Sequence, residues 1–120
     1  MALPYKLNQT SRPCLGLIVL QSDETIEDEF KHMFAEQNIA LYHSRIPSAP
    51  EVTPETLAQM EAAIPQSVAL FPPVEFSVIG YACTSGATII GPDMVAKAVQ
   101  TVLPDARVTD PLTAAIMWCK

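Results

Sequence analysis

Apolar residues follow two rhythms along this chain. Short runs of aliphatic and β-branched side chains, Leu15–Leu20, Ile39–His43 and Phe76–Ala82, suit strands buried on both faces, and Arg107–Thr109 reads as a brief fourth. Between them lie longer stretches with helical spacing. Ile26, Phe30, Met33 and Phe34 form one apolar stripe, which predicts a helix from about Thr25 to Gln37 with Ser22 or Asp23 as its cap. Thr53-Pro54-Glu55-Thr56 opens a second helix with a capping hydroxyl and a proline at the first helical position, running to about Leu70. Pro65 lies inside it and is expected to kink or shorten it, and Pro72-Pro73 closes the segment. A third helix is predicted from Pro92 to about Val102, and a last one starts at Asp110-Pro111 and stays apolar to Trp118 and Cys119. This alternation implies an α/β fold. Right-handed crossovers then give a flavodoxin-like three-layer sandwich, a four-stranded parallel sheet in the order 2-1-3-4 with helices on both faces.

Composition narrows the function. With 120 residues, of which 49% are hydrophobic, the chain holds one compact α/β lobe, residues 1–120, and no second domain. A net charge of −6 and the lack of any Lys or Arg cluster argue against nucleic acid and anionic membrane as partners. The longest early apolar run, Cys14 to Leu20, is far shorter than the ~20 residues of a membrane span. A cytoplasmic protein is expected. Cys14, Cys83 and Cys119 are an odd set without CxxC spacing or a nearby His, so free thiols are expected, with no structural metal.

Ligands of open α/β sheets bind beyond the carboxyl ends of the strands, where the strand order reverses. Four connections reach that edge: Gln21 to Thr25, Ser44 to Pro50, Cys83 to Gly86 and Thr109 to Pro111. The first and third flank the reversal, so Asp23 and Cys83 are expected to face each other. Gly80-Tyr81-Ala82-Cys83-Thr84-Ser85-Gly86 carries the densest chemistry, a thiol at a strand end followed by two hydroxyls and a glycine. Backbone N–H groups of such a turn make an anion cradle that favours thiolate, and Thr84 and Ser85 add donors for a carboxylate or an enolate. The plainer alternative makes Cys83 a small buried hydrophobe and Thr84-Ser85-Gly86 a polar turn. Asp23 reads as a base or substrate-orienting group, or as a helix cap. Arg45 reads as a fork for a substrate carboxylate, or as half of a surface ion pair. Glu27, Asp28 and Glu29 suit the first turn of a solvated helix rather than a metal site. His32 is expected to face solvent, and Cys14, Cys119 and Trp118 carry no predicted chemistry.

Taken in order, Leu15-Gly16-Leu17-Ile18-Val19 before Ser22-Asp23 and Thr25, then Glu27-Asp28-Glu29-Phe30, Val52-Thr53-Pro54-Glu55, and Gly80 to Gly86 resemble the aspartate/glutamate racemase superfamily on its maleate isomerase and arylmalonate decarboxylase branch. Thr109-Asp110-Pro111-Leu112-Thr113-Ala114 is similar to the segment leading into the helix that links the two lobes of such enzymes. The resemblance covers essentially the whole chain but only the amino-terminal half of a family member, whose active site lies between two similar lobes. It implies that Cys83 is the first-lobe catalytic cysteine and that Thr84 and Ser85 bind a substrate carboxylate. Where many relatives have Pro-Ser-Ser-Asn, this chain has Leu20-Gln21-Ser22-Asp23, so a carboxamide is replaced by a potential anion. The implied function is a cofactor-independent isomerase, racemase or decarboxylase of a small carboxylic acid, inactive as an isolated half because the second cysteine is missing. The alternative is a noncatalytic small-anion-binding or assembly lobe. In either case a homo-oligomer is expected.

Overall fold

Residues 12–118 are described by the computed structural model, and their elements follow the two rhythms of the sequence. In chain order they are β1 (Cys14–Leu20), α1 (Ile26–Met33), β2 (Ala40–Ile46), α2 (Pro54–Val68), β3 (Val78–Tyr81), α3 (Thr84–Ile90), α4 (Pro92–Gln100), β4 (Val108–Thr109) and α5 (Pro111–Trp118). The four strands form one parallel sheet in the order β2-β1-β3-β4. β1 is therefore central, pairing Leu17 with His43 on one side and with Gly80 on the other.

Alternation along the strands separates two faces. Ile18, Ile79 and Tyr81 join a core cluster with Met60, Ile64 and Val68 of α2 and Val95 and Val99 of α4. Burying each isoleucine and valine of this set stabilises the fold by about 1.5–3 kcal/mol relative to exposure. Gly16 belongs to this layer because a Cβ there would stand 2.6 Å from Ile79 Cδ1 and 3.0 Å from Phe71 Cζ, so its bare backbone makes room for both side chains. On the opposite face Leu17 lies across Gly80, beneath Ile26 and Phe30 of α1 and Ala114 of α5. Helices thus cover both faces, completing the expected α/β sandwich.

Several elements differ from their predicted extents. Helix α1 ends at Met33 rather than Gln37; none of its residues is fully buried, and a helix this short has little tertiary packing to extend it. Strand β2 continues three residues past His43 to Ile46, since Ser44 and Ile46 are buried. Pro65 does not break α2, which runs only to Val68; the proline stands close to the end, and its carbonyl accepts the Ala69 N–H. Thr53 and Thr56 cap the start of α2 reciprocally, in line with the opening motif. Thr84-Ser85-Gly86 reads as a turn and residues 87–91 carry no predicted element, but residues 84–90 form α3, whose Ala87 is completely buried; packing outweighs the poor helix propensity of Thr, Gly and Ile there. Cys119 lies outside the described residues.

Candidate active site

The carboxyl edge of the sheet is assembled by hydrogen bonds between consecutive connections. Leaving β1, the chain is tied to the end of β2 by Gln21 N–H donating to the Ile46 carbonyl at 2.8 Å. Ser22 meets Ser48 of the next connection, through its amide at 3.0 Å and its hydroxyl at 2.8 Å. Arg45 lies across the same loop: Nη1 donates to the carbonyls of Leu20 at 2.8 Å and Asp23 at 2.9 Å, and Nη2 pairs with Glu27. The guanidinium is thus engaged in holding the β1–α1 loop, the role of a structural ion pair. Asp23 Oδ1 accepts the amides of Thr25 and Ile26, both at 2.9 Å. Those two bonds, Ile26 first, hold the Asp23 carboxyl below the usual carboxylate range. Its observed work is therefore to hold the amides of the N-cap Thr25 and of Ile26 at the entrance to α1, and no hydrogen bond joins it to Cys83 among the described residues.

Cys83 leaves β3 in extended conformation and is the N-cap of α3, with Sγ accepting the Gly86 N–H at 3.4 Å and the Ser85 hydroxyl 3.7 Å away. An N–H donor at this position serves an anionic sulfur better than a neutral thiol. Thr84 and Ser85 are exposed, and their amides belong to the first turn, before the i to i−4 ladder begins at Ala87. The sulfur itself is deep, since Cys83 is only 6% exposed and belongs to the main core cluster. The burial agrees with the plainer sequence reading of Cys83 as a small buried side chain, while the Gly86 N–H on its sulfur is what the thiolate reading requires.

Tyr81 was not singled out by the sequence. It lies two residues before the thiol on the same face of β3, is 1% exposed, and its hydroxyl is buried without a hydrogen-bond partner among the described residues. A Cβ on Gly86 would be 2.6 Å from that hydroxyl oxygen and 3.2 Å from Cys83 Sγ. Phenol and thiol therefore crowd the same bare Cα. The period-two spacing of Tyr81 and Cys83 was the available signal for this.

Beside the turn, a mostly apolar cavity of about 310 Å³ lies between α1 and α5, bordered by Ile26, Phe30, Thr84, Thr109 and Pro111. Thr84 lines it, whereas Asp23, Arg45, Cys83 and Ser85 do not. No group of three His, Cys, Asp or Glu side chains suited to a metal ion occurs among the described residues. No helix among them is long and apolar enough to cross a membrane.

No family model matches the chain. No curated protein matches it either. Two solved structures do. A cysteine-to-serine variant of Nocardia farcinica maleate cis-trans isomerase with a covalently bound succinylcysteine intermediate superposes with a TM-score of 0.70 at 24% identity, over 89% of this chain and 47% of the isomerase. The Nocardia farcinica maleate cis-trans isomerase bound to TRIS gives a TM-score of 0.67 at 25% identity, over 88% and 46%. The chain spans about half the length of these structures. What it shares with them is the fold, a four-stranded parallel sheet ordered 2-1-3-4 with helices on both faces.

Proposed function

We propose that this chain is a lobe of a cofactor-independent isomerase acting on a small carboxylic acid through the Cys83 thiolate. The observation that carries the reading is the seating of Cys83 Sγ at the head of α3, on the Gly86 N–H, at the carboxyl edge of a sheet shaped like that of maleate cis-trans isomerase. The succinylcysteine in the neighbouring structure supports a sulfur that bonds to carbon during turnover.

For a cis-butenedioate such as maleate, the sulfur lone pair would form a C–S bond to one alkene carbon as the π electrons move to the other, into an enediolate. Amides and hydroxyls of Thr84 and Ser85 would carry that developing charge. The former double bond, now single, rotates; the carbanion's electrons then re-form the alkene and expel the thiolate. Racemisation and decarboxylation use the same thiol differently, as a proton donor or acceptor at the carbon beside the carboxylate. Asp23 and Arg45 contribute by fixing the β1–α1 rim; for Arg45 to grip a substrate carboxylate it would have to release the carbonyls of Leu20 and Asp23. Self-association belongs to the same reading, because Ile116 and Met117 of α5 are 51% and 68% exposed, an apolar surface suited to a second copy.

The test is competitive alkylation. Cys14 is more accessible than Cys83, so exposure alone would make it the faster thiol with iodoacetamide. Faster labelling of Cys83 in the folded protein at neutral pH, with a maleate-derived adduct on that residue seen by mass spectrometry and absent in Cys83→Ser, is the expected result. Labelling ordered by exposure, with no adduct, would favour the second reading, a noncatalytic anion-binding or assembly lobe, for which the burial of Cys83 in the core is the supporting observation.

A further inference from the structure

We infer that Tyr81 is a positioning residue for Cys83: its buried O–H is the donor that meets the anionic sulfur. The inference rests on the proposed reading that Cys83 works as an anion. A phenol hydroxyl excluded from water costs free energy unless it is paired, and in this structure it has no hydrogen-bond partner among the described residues. The polar atom sharing its niche is Cys83 Sγ, since both approach the same face of Gly86 so closely that a methyl group there would collide with the phenol and press on the sulfur. A neutral thiol is a weak acceptor and a thiolate a strong one, so a donor left idle beside the thiol is engaged when the proton departs.

Other groups around the phenol do not compete for this role. The α2 and α4 residues of its hydrophobic cluster are apolar, the buried hydroxyls of Ser44 and Ser67 are paired with each other, and Asp110, on the β4–α5 connection, directs its two carboxylate oxygens to the amide and the hydroxyl of Thr113. Burial first, and then neighbouring Cys83, hold the Tyr81 proton well above the usual tyrosine range, as befits a group that donates and does not ionise. Gly86 is the third partner, because it supplies the N–H to the sulfur and, having no side chain, lets phenol and sulfur approach.

The test is Tyr81→Phe, which removes the hydroxyl oxygen and keeps the ring. Thiolate ultraviolet absorbance, taken as the difference between proteins with and without Cys83→Ser, follows ionisation even where iodoacetamide cannot reach the sulfur. The midpoint for Cys83 is expected to rise by about one unit in Tyr81→Phe, the scale of one hydrogen bond to a charged group. A Tyr42→Phe control should leave it unchanged. An unchanged midpoint in Tyr81→Phe would overturn the inference, as would a downward shift. A second measurement needs no variant of Tyr81: with ring-labelled tyrosine, the Tyr81 Cζ resonance should move through the pH range in which Cys83 ionises, and remain still there in Cys83→Ser. Absence of that movement in the wild-type protein also counts against the inference. Failure of the proposed function itself would look different, as a midpoint that responds to Tyr81→Phe on a sulfur that neither labels preferentially nor forms an adduct.

Discussion

Asp23 shows how a single carboxylate can be given to structure at the edge of a candidate active site. Its Oδ1 receives two amides at the entrance to α1, and both favour the ionised form. A carboxyl whose folded-state value is depressed stabilises the fold above its ordinary range, and that contribution disappears as pH falls through the lowered value. Asp23→Ala should therefore lower Tm at neutral pH, with the deficit shrinking once the pH is below about 4, as followed by circular dichroism melting. An equal deficit at neutral and strongly acidic pH would mean that the charge is irrelevant. The residue types were legible here: Asp23 had been read as a cap or a base, Arg45 as a fork or an ion pair, and Cys83 as a nucleophile or a core thiol. What the residue types did not give were the partners: Thr25 and Ile26 amides on the Asp23 carboxylate, the Leu20 and Asp23 carbonyls on Arg45, and the Tyr81 hydroxyl beside the Cys83 sulfur.

Among the elements, the junction of α3 and α4 is the most constrained. Gly91 ends one helix and starts the next at φ 95° and ψ 139°, the only positive φ among the described residues, in open space where a Cβ would touch nothing within 4 Å. Gly91→Ala is therefore a purely conformational substitution. It is expected to destabilise the protein by roughly 1–3 kcal/mol in chemical denaturation, the usual cost of forcing a side chain into that region. A neutral result would show that the two helices reorient freely. The same junction explains why α3 was missed. Thr84-Ser85-Gly86-Ala87-Thr88-Ile89-Ile90 has no capping carboxylate, four β-branched residues of low helix propensity and a glycine, so local preference points to a turn. The helix forms because Gly86 and Ala87 pack into the core below it and Cys83 serves as its cap through sulfur.

For the chain as a whole, the proposed reaction would draw on groups on both sides of the substrate, and the described residues offer Cys83 on one of them. The 120-residue chain by itself is accordingly expected to convert no measurable maleate to fumarate, and to racemise no aspartate or glutamate, in assays read by proton NMR and chiral chromatography. Robust turnover that vanishes in Cys83→Ser would show that a single lobe, or a pair of copies, is sufficient. The sequence by itself determined the fold class and strand order, because β-branched runs alternating with amphipathic stretches admit few arrangements once crossovers are right-handed. It also placed Cys83, Thr84 and Ser85 at the carboxyl edge of the sheet, since that edge follows from strand direction alone. Only the tertiary structure decided that the sulfur is nearly sealed, that Arg45 and Asp23 brace the rim, and that a buried phenol, unpaired among the described residues, meets the thiol at Gly86. Burial and pairing are properties of atoms brought together from different elements, and no local pattern of residues encodes them.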